Sequence, residues 1–341
     1  MTAGPLPRRT LLASAAVLAA GAGAVARAAE QANLLVAGPD GGWLSAWSAT
    51  LARPLLHGLP AGSRLSDRPV GGADGVTGAN RFEAQFDRDG TRLMLLPGTA
   101  ALAWLAGDPR VHFDAAHWLP LLCGVSTGVL ACRRPLDAGS ASTPLRMAVD
   151  GPLGPGAAAL LALDLIGVPA TPVRGLANPQ AALAAGRIDA AFLPGQAGTE
   201  AGAALPGMAA RYCLGAPDAM AEADPLLPTL AGLVAKSWDD RGRGDATLLA
   251  AWRAAAAAAQ LDYALVMAPL SEPASVALWR QAAATARGAM VQAGVQPGFR
   301  PGIRSLAAPG CNTVLGAIAT DSAALLAYRR WLETRLTWQP G

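Results

Sequence analysis

The stretch Asn33-Leu34-Leu35-Val36-Ala37-Gly38-Pro39-Asp40-Gly41-Gly42-Trp43-Leu44-Ser45 decides the fold class. A short apolar run, a glycine-rich turn and the start of an amphipathic segment make one strand–turn–helix unit, with a strand at Asn33–Val36 and a helix from Trp43 to Leu55. The unit recurs. Strands are expected at Arg64–Val70 and Arg92–Leu96, the latter preceded by the turn Asp89-Gly90, and at Leu121–Val125 and Gly128–Cys132. A second alternation has strands at Leu145–Val149, Ala170–Val173 and Ile188–Leu193, with helices at Gly156–Ile166 and Pro179–Ala185. Farther on come a strand at Ala264–Ala268 and a helix from Pro273 to Arg287. Alternating strands and helices imply α/β layers with mostly parallel sheets.

The tail from Asp321 to Leu336 is an amphipathic helix with Asp321 as N-cap, and Leu325, Tyr328, Trp331, Leu332 and Leu336 fall on one face, as core residues do. The tract Ala254–Ala259 is a run of good helix former and carries no chemical message.

In an open sheet of this kind ligands sit beyond the carboxyl ends of strands, where loops enter helices. Three turns qualify: Gly38 to Trp43, Pro97-Gly98-Thr99, and Asp150 to Ala157. Glycine lets backbone amides approach a ligand, and the positive end of a helix favours an anion. Any one such turn is commonplace, and none matches a P-loop or a clean G-x-G-x-x-G. Recurrence of two of them at equivalent places of two alternations is the informative feature.

At the N-terminus, Arg8 and Arg9 precede an apolar run from Leu11 to Val25 and an Ala26-Arg27-Ala28 site. This is the layout of an export signal cleaved after Ala28, with Pro7-Arg8-Arg9-Thr10-Leu11-Leu12 fitting the twin-arginine kind. The run is too short and too weakly apolar for a retained anchor, which needs ~20 apolar residues. Roughly 310 residues then remain, enough for two domains. Losing Arg8, Arg9 and Arg27 lowers the basic count from 27 to 24, equal to the acidic count. A near-neutral chain with no basic stripe argues against a nucleic-acid partner.

Cys123, Cys132, Cys213 and Cys311 form no C-x-x-C or metal-ligand spacing, and their pairing is open: export permits disulfides, and buried thiols suit the sequence equally. His57, His112 and His117 lie in unrelated surroundings and are expected to be surface or structural residues. No cofactor is expected.

Asp67-Arg68-Pro69-Val70-Gly71-Gly72, followed by Asp89-Gly90-Thr91-Arg92-Leu93-Met94-Leu95-Leu96, resembles the "N-R-P-G-A-G-G … D-G-Y-T-L-L" signature of tripartite tricarboxylate transporter substrate-binding proteins, the Bug family. Pro39-Asp40-Gly41-Gly42 resembles its first "P-G-G" turn. Pro172-Val173-Arg174-Gly175, Ala181-Ala182-Leu183 and Gly186-Arg187-Ile188-Asp189 resemble its "P-Y-K-G … A-L … G-x-V-D". Asp224 to Leu230 resembles its "D-V-P-T" segment, and Met267 to Pro273 its "A-P-x-G-T-P" lead-in to a late helix. Each piece is modest, but the ordered set spans nearly all of the chain after the leader.

The resemblance implies a two-lobed Venus-flytrap fold of type II, with a signal peptide at 1–28, a first lobe at 29–128 plus 246–341 and a second lobe at 129–245. It implies a monomeric periplasmic receptor that passes a small organic acid to membrane permease subunits. Carried over by position, the ligand-binding residues are Asp40, Gly41, Gly42 and Trp43 in the first turn, with Pro97, Gly98 and Thr99 nearby. In the second lobe they are Leu153, Gly154, Gly156 and Ala157, with Arg174 close. The family's second-lobe turn usually carries hydroxyls, whereas this one reads Gly154-Pro155-Gly156-Ala157, and Trp43-Leu44 stand where the first turn usually has Thr or Ser and then Asp. Pro155 also lacks an N–H. The expected ligand is therefore a more hydrophobic acid than citrate, packed on Trp43.

A second reading is an interaction or sensing protein on the same fold, with a degenerate pocket. A third is an enzyme. Asp150, Asp164, Asp189, Ser45, Ser140 and the histidines could supply groups, yet no G-x-S-x-G or H-E-x-x-H motif assembles them, and Asp189 fits a structural cap better.

Overall fold

In the computed structural model, residues 31–85, 90–136, 143–194, 208–215, 227–241, 245–292 and 303–340 are described. The export-signal reading (residues 1–28), Asp89, Ser140 and Asp224–Leu226 lie outside them.

The first alternation runs β1 (Ala32–Val36), α1 (Trp43–His57), β2 (Leu65–Pro69), α2 (Val76–Gln85), β3 (Arg92–Pro97), α3 (Gly98–Ala106) and β4 (Leu119–Ser126). The second runs β5 (Val129–Cys132), β6 (Leu145–Ala148), α4 (Gly156–Ile166), β7 (Ala170–Val173), α5 (Pro179–Ala184), β8 (Ala190–Leu193) and β9 (Ala210–Cys213). Then follow α6 (Leu230–Arg241), α7 (Ala246–Gln260), β10 (Leu261–Met267), α8 (Pro273–Gln292), β11 (Ile303–Ala307), α9 (Ala308–Ile318) and α10 (Ser322–Leu336).

Two sheets result. One has the order β11-β4-β10-β3-β1-β2, the other β7-β6-β8-β5-β9. The expected two-lobed α/β architecture is present, but each sheet is mixed rather than mostly parallel. β1, β2 and β3 pair in parallel, and so do β6 with β7 and β8; β10, β4 and β11, like β5 and β9, pair antiparallel. The parallel half of each sheet is the part built from strand–turn–helix units. The antiparallel half includes β4 and β5, which flank the step between the sheets, and β10, which follows the return, with β11 and β9 as edge strands.

Thr127-Gly128 is the first passage between the sheets, because β4 belongs to one and β5 to the other. A Cβ on Gly128 would lie 1.9 Å from the Phe192 ring, so only glycine fits this join. Helix α7 is the return path. Residues Ala254 to Ala258 are all buried, and α7 packs against α3 and α9 from the first sheet and α4 from the second. The alanine tract thus has a role beyond helix propensity: methyl groups let the helices around α7, α10 included, approach its axis closely. One continuous apolar cluster runs through both sheets, from Leu34 and Leu95 to Leu130 and Leu161, by way of Trp252.

Asp321 caps α10 as expected, its Oδ1 accepting from the Ala324 N–H at 2.8 Å. Tyr328, Trp331, Leu332 and Leu336 are buried, while Leu325 is half-buried. Among the described residues no single helix is long and apolar enough to cross a membrane.

Candidate functional site

The first turn begins where β1 ends. Gly41 is exposed with φ +68°, the left-handed region that glycine enters freely, and a Cβ there would meet nothing within 4 Å. Its N–H is not open, because Asp40 Oδ1 accepts from it at 2.9 Å. The Gly42 N–H donates to Pro39 O at 3.1 Å, and Ser45 Oγ donates to the same carbonyl at 3.0 Å. Gly42 is the N-cap of α1 and offers no side-chain cap; Trp43 is half-buried and packs on the core.

The second turn lies beside the first, since β1 and β3 are neighbours with Val36 opposite Leu95. Gly75 and Pro97 press together there: a Cβ on Gly75 would be 2.5 Å from Pro97 Cδ and 3.2 Å from Ala37 O. Thr99 Oγ1 donates to Asp74 O at 3.2 Å. The Arg110 guanidinium is close by but already engaged, at 2.8 Å from Asp74 Oδ2 and 2.6 Å from Asp108 Oδ2. Gly98 is buried, and a Cβ on it would lie 2.2 Å from Leu261 O and 2.3 Å from Ala258 O. Gly98 is therefore a packing glycine where α3 meets the end of α7.

The third turn leaves β6. The Gly154 N–H donates to Gly151 O at 3.3 Å, Ala157 N–H to Gly154 O at 3.1 Å and Ala158 N–H to Pro155 O at 3.2 Å. Gly156 and Ala157 are buried, and Leu153 is half-buried against the core. Arg174, at the end of neighbouring β7, donates to Leu336 O at the C-terminal end of α10. It serves to hold that helix end, a task that spacing along the sequence gives no sign of.

Helix α7 brings the second and third turns onto one element. Trp252 Nε1 donates to Ala158 O in the first turn of α4 at 3.1 Å, while Gly98 abuts Ala258. Those two points of α7 are six residues apart, about 9 Å along a helix. Among the described residues no hydrogen bond or close approach joins Gly41 to Gly156.

The groups that an enzyme reading would use are mostly engaged structurally. Asp164 accepts from Arg335 and Trp331, Asp189 from Arg146, and Ser45 donates to Pro39 O. The Arg146 hydrogen bonds hold the Asp189 carboxyl below the usual carboxylate range. His57, His112 and His117 are exposed. Among the described residues no group of three or more His, Cys, Asp or Glu side chains could hold a metal ion.

Sequence reasoning missed a cavity of about 130 Å³ near the amino ends of β1 and β3, where Arg68, Arg81 and Arg92 gather around Asn33 and Phe82. Its guanidinium groups come from three different elements, and two of them turn to Gln85: Arg92 donates to its backbone carbonyl and Arg81 Nε to its side chain at 3.3 Å.

No protein-family model matches the chain, and no curated protein matches it in sequence. Among solved structures it is similar to a TctC solute binding protein from Polaromonas, determined without ligand, at a TM-score of 0.58 and 16% identity, covering 89% of this chain and 98% of that one. It is more loosely similar to a Rhodopseudomonas palustris protein with adipate (TM-score 0.47, 14% identity, 90% and 97% covered). MatC from the same organism, with bound malate, aligns at 0.42 and 16% identity over 90% and 96%. The first likeness establishes the two-lobed solute-binding-protein fold.

Proposed function

We propose that this chain is a solute-binding receptor of the tripartite tricarboxylate transporter type, which holds a small organic carboxylate between its lobes and delivers it to membrane permease subunits. It acts in the periplasm, reached by the twin-arginine route, as a monomer without catalytic activity. One observation carries the reading: α3 and α4 start from glycine-rich turns of different sheets, and both starts abut α7, with the first turn beside the second. Helix starts so gathered supply the partial positive charge that an anion seeks. The ordered motifs and the fold shared with the Polaromonas protein support the same class.

The ligand is an apolar or aromatic acid. Gly154, Pro155, Gly156 and Ala157 offer no hydroxyl, and Trp43 presents a half-buried indole next to Gly42. The second reading, an interaction or sensing protein on this fold, is favoured by one specific contact: the Asp40 carboxylate already takes the Gly41 amide.

A thermal-shift panel of aromatic monocarboxylates, C4–C6 dicarboxylates and citrate tests both. Ligand at ~100 times Kd adds about 2.7 kcal/mol, a rise of several degrees for a chain of this size. Aromatic acids are expected to stabilise more than citrate. Tight citrate with inert aromatic acids defeats the apolar-pocket reading, and silence across the panel hands the chain to the second reading.

A further inference from the structure

The cavity beside the amino ends of β1 and β3 gathers positive charge that its own lining does not answer. Arg68, Arg81 and Arg92 reach it from β2, α2 and β3, and among the described residues no carboxylate lines it. Strand register explains the convergence. Arg92 is level with Asn33 and Arg68 with Leu35, so both arginines project from the sheet face that carries Asn33 and Leu35. Helix α2 covers that face, with Arg81, Phe82 and Gln85 on one side of it. The nearby acids are turned away. Asp67 lies on the opposite face of β2, its Oδ2 accepting from Ser48 Oγ at 3.4 Å, and Glu83 falls on the far side of α2 from Arg81. Arg110, Arg146 and Arg335 show the usual arrangement, each held against an aspartate. Arg68 instead is exposed, with no hydrogen bond or ion pair among the described residues, and Arg81 engages only Nε, on the Gln85 side chain. Arg92 donates to the Gln85 carbonyl. Gln85 thus steadies two guanidiniums without neutralising either.

We propose that this cavity is a second anion site, built for a small tetrahedral dianion of the phosphate class and separate from the three candidate turns. Those turns follow the carboxyl ends of their strands, whereas the cavity sits at the amino ends of β1 and β3; Asn33 to Val36 alone spans about 10 Å. Like charges gathered in one place repel, and a dianion among them turns that repulsion into attraction. Leu35, Phe82 and Leu93 supply an apolar wall that keeps solvent from one side and weakens its screening. Guanidinium forks arriving from three elements suit the several oxygens of a tetrahedral anion better than the two coplanar oxygens of a carboxylate. Binding here needs neither the candidate turns nor any movement of the lobes, so it stands or falls apart from the receptor reading.

Calorimetric titration of the full chain with sodium phosphate tests it, at low ionic strength and a pH of about 8, where the ion is mostly doubly charged. Sodium chloride of matched ionic strength is the blank. Expected is one saturable site with a Kd of about 1 mM or tighter. Arg68→Gln and Arg81→Gln should each weaken it about tenfold, as loss of a charged hydrogen-bond donor does, with circular dichroism unchanged. Arg68→Lys, which keeps the charge but not the fork, should recover only part of that loss. Arg280→Gln, at an exposed position of α8, should leave the affinity as it is. Acetate should bind about tenfold more weakly than phosphate, or worse. Any of four results overturns the site: no saturable heat, a titration that Arg68→Gln and Arg81→Gln leave unaltered, an equal loss in Arg280→Gln, or acetate that matches phosphate.

Discussion

Asp164 on α4 and Arg335 on α10 hold each other through two hydrogen bonds, Nε to Oδ2 at 2.8 Å and NH2 to Oδ1 at 3.0 Å, although 171 residues separate them. Trp331 Nε1 adds a third to Oδ2 at 2.7 Å, and Arg335 reaches on to Ala170 O at 2.7 Å. The other side of the same helix serves the first sheet's elements. Arg329 donates to Leu105 O and Trp104 O at 3.2 Å each, closing the end of α3, and Trp338 Nε1 donates to Ala106 O at 2.9 Å. Helix α10 is a strap fastened to both lobes, so lobe movement must bend or carry it.

Replacing Asp164 with Ala strips the charged acceptor from two donors at once. Asp164 and Arg335 keep 23% and 29% of their side-chain surface exposed, so solvent recovers part of the loss. A cost of about 2 kcal/mol is expected, read as a lower urea midpoint. Asp164→Asn, which keeps an acceptor for Trp331, should cost less; equal midpoints for wild type and Asp164→Ala would refute the strap.

Two glycines of the candidate turns should respond in opposite measure. Gly98→Ala drives a methyl into the carbonyls of Ala258 and Leu261 and should cost about 2–3 kcal/mol. Gly41→Ala meets open space and suffers only its left-handed backbone, about 1 kcal/mol. Urea denaturation of both variants checks the order.

Asp40 occupies the Gly41 amide, one of the groups proposed to meet a ligand carboxylate. Asp40→Ala should raise affinity for an aromatic carboxylate three- to tenfold by calorimetry, the gain of about 1 kcal/mol that follows from removing a like charge. Trp43→Ala should lower it by a similar or larger factor through lost apolar contact. An unchanged affinity in both variants would place the ligand elsewhere.

Acid should loosen the protein from a defined point. Hydrogen bonds from Arg110 hold the Asp108 carboxyl below its ordinary value, and those from Arg146 do so for Asp189. A depressed carboxylate contributes its full stability above the unfolded value of about 3.9 and loses it as pH falls through the folded value. Tm should therefore stay level from pH 7 to 5 and fall below about 4, with a shallower fall in Asp189→Asn. A fall that begins near pH 6 would point to groups other than these.

Much of the architecture was legible because the parallel half of each sheet announces itself. Gly156–Ile166 and Ala170–Val173 fall where expected, bounded by glycine and proline, and β3 is apolar from Leu93 to Pro97. The antiparallel half was harder. β11, Ile-Arg-Ser-Leu-Ala, is half-buried at every position, so its pattern has no period to detect. Helix α3 is apolar nearly all round and hid the helical period, and α9 opens on Ala-Pro-Gly, a weak helix signal. At the candidate site the turns themselves were visible, but the fates of their atoms were not. That Gly98 serves packing, that Arg174 holds Leu336, and that Asp40 covers its neighbour's amide depend on partners far away or on a side-chain rotation that composition does not record.

The methyl-lined flank of α7 has a bearing on how relatives of this chain could diverge. Ala254 to Ala258 are all buried where helices of different lobes meet α7. A single enlargement there, Ala256→Val for instance, would act as a wedge and reset the angle between the lobes while leaving the residues of all three candidate turns unchanged. The relative setting of the two sheets is thereby governed from a position outside all three candidate turns.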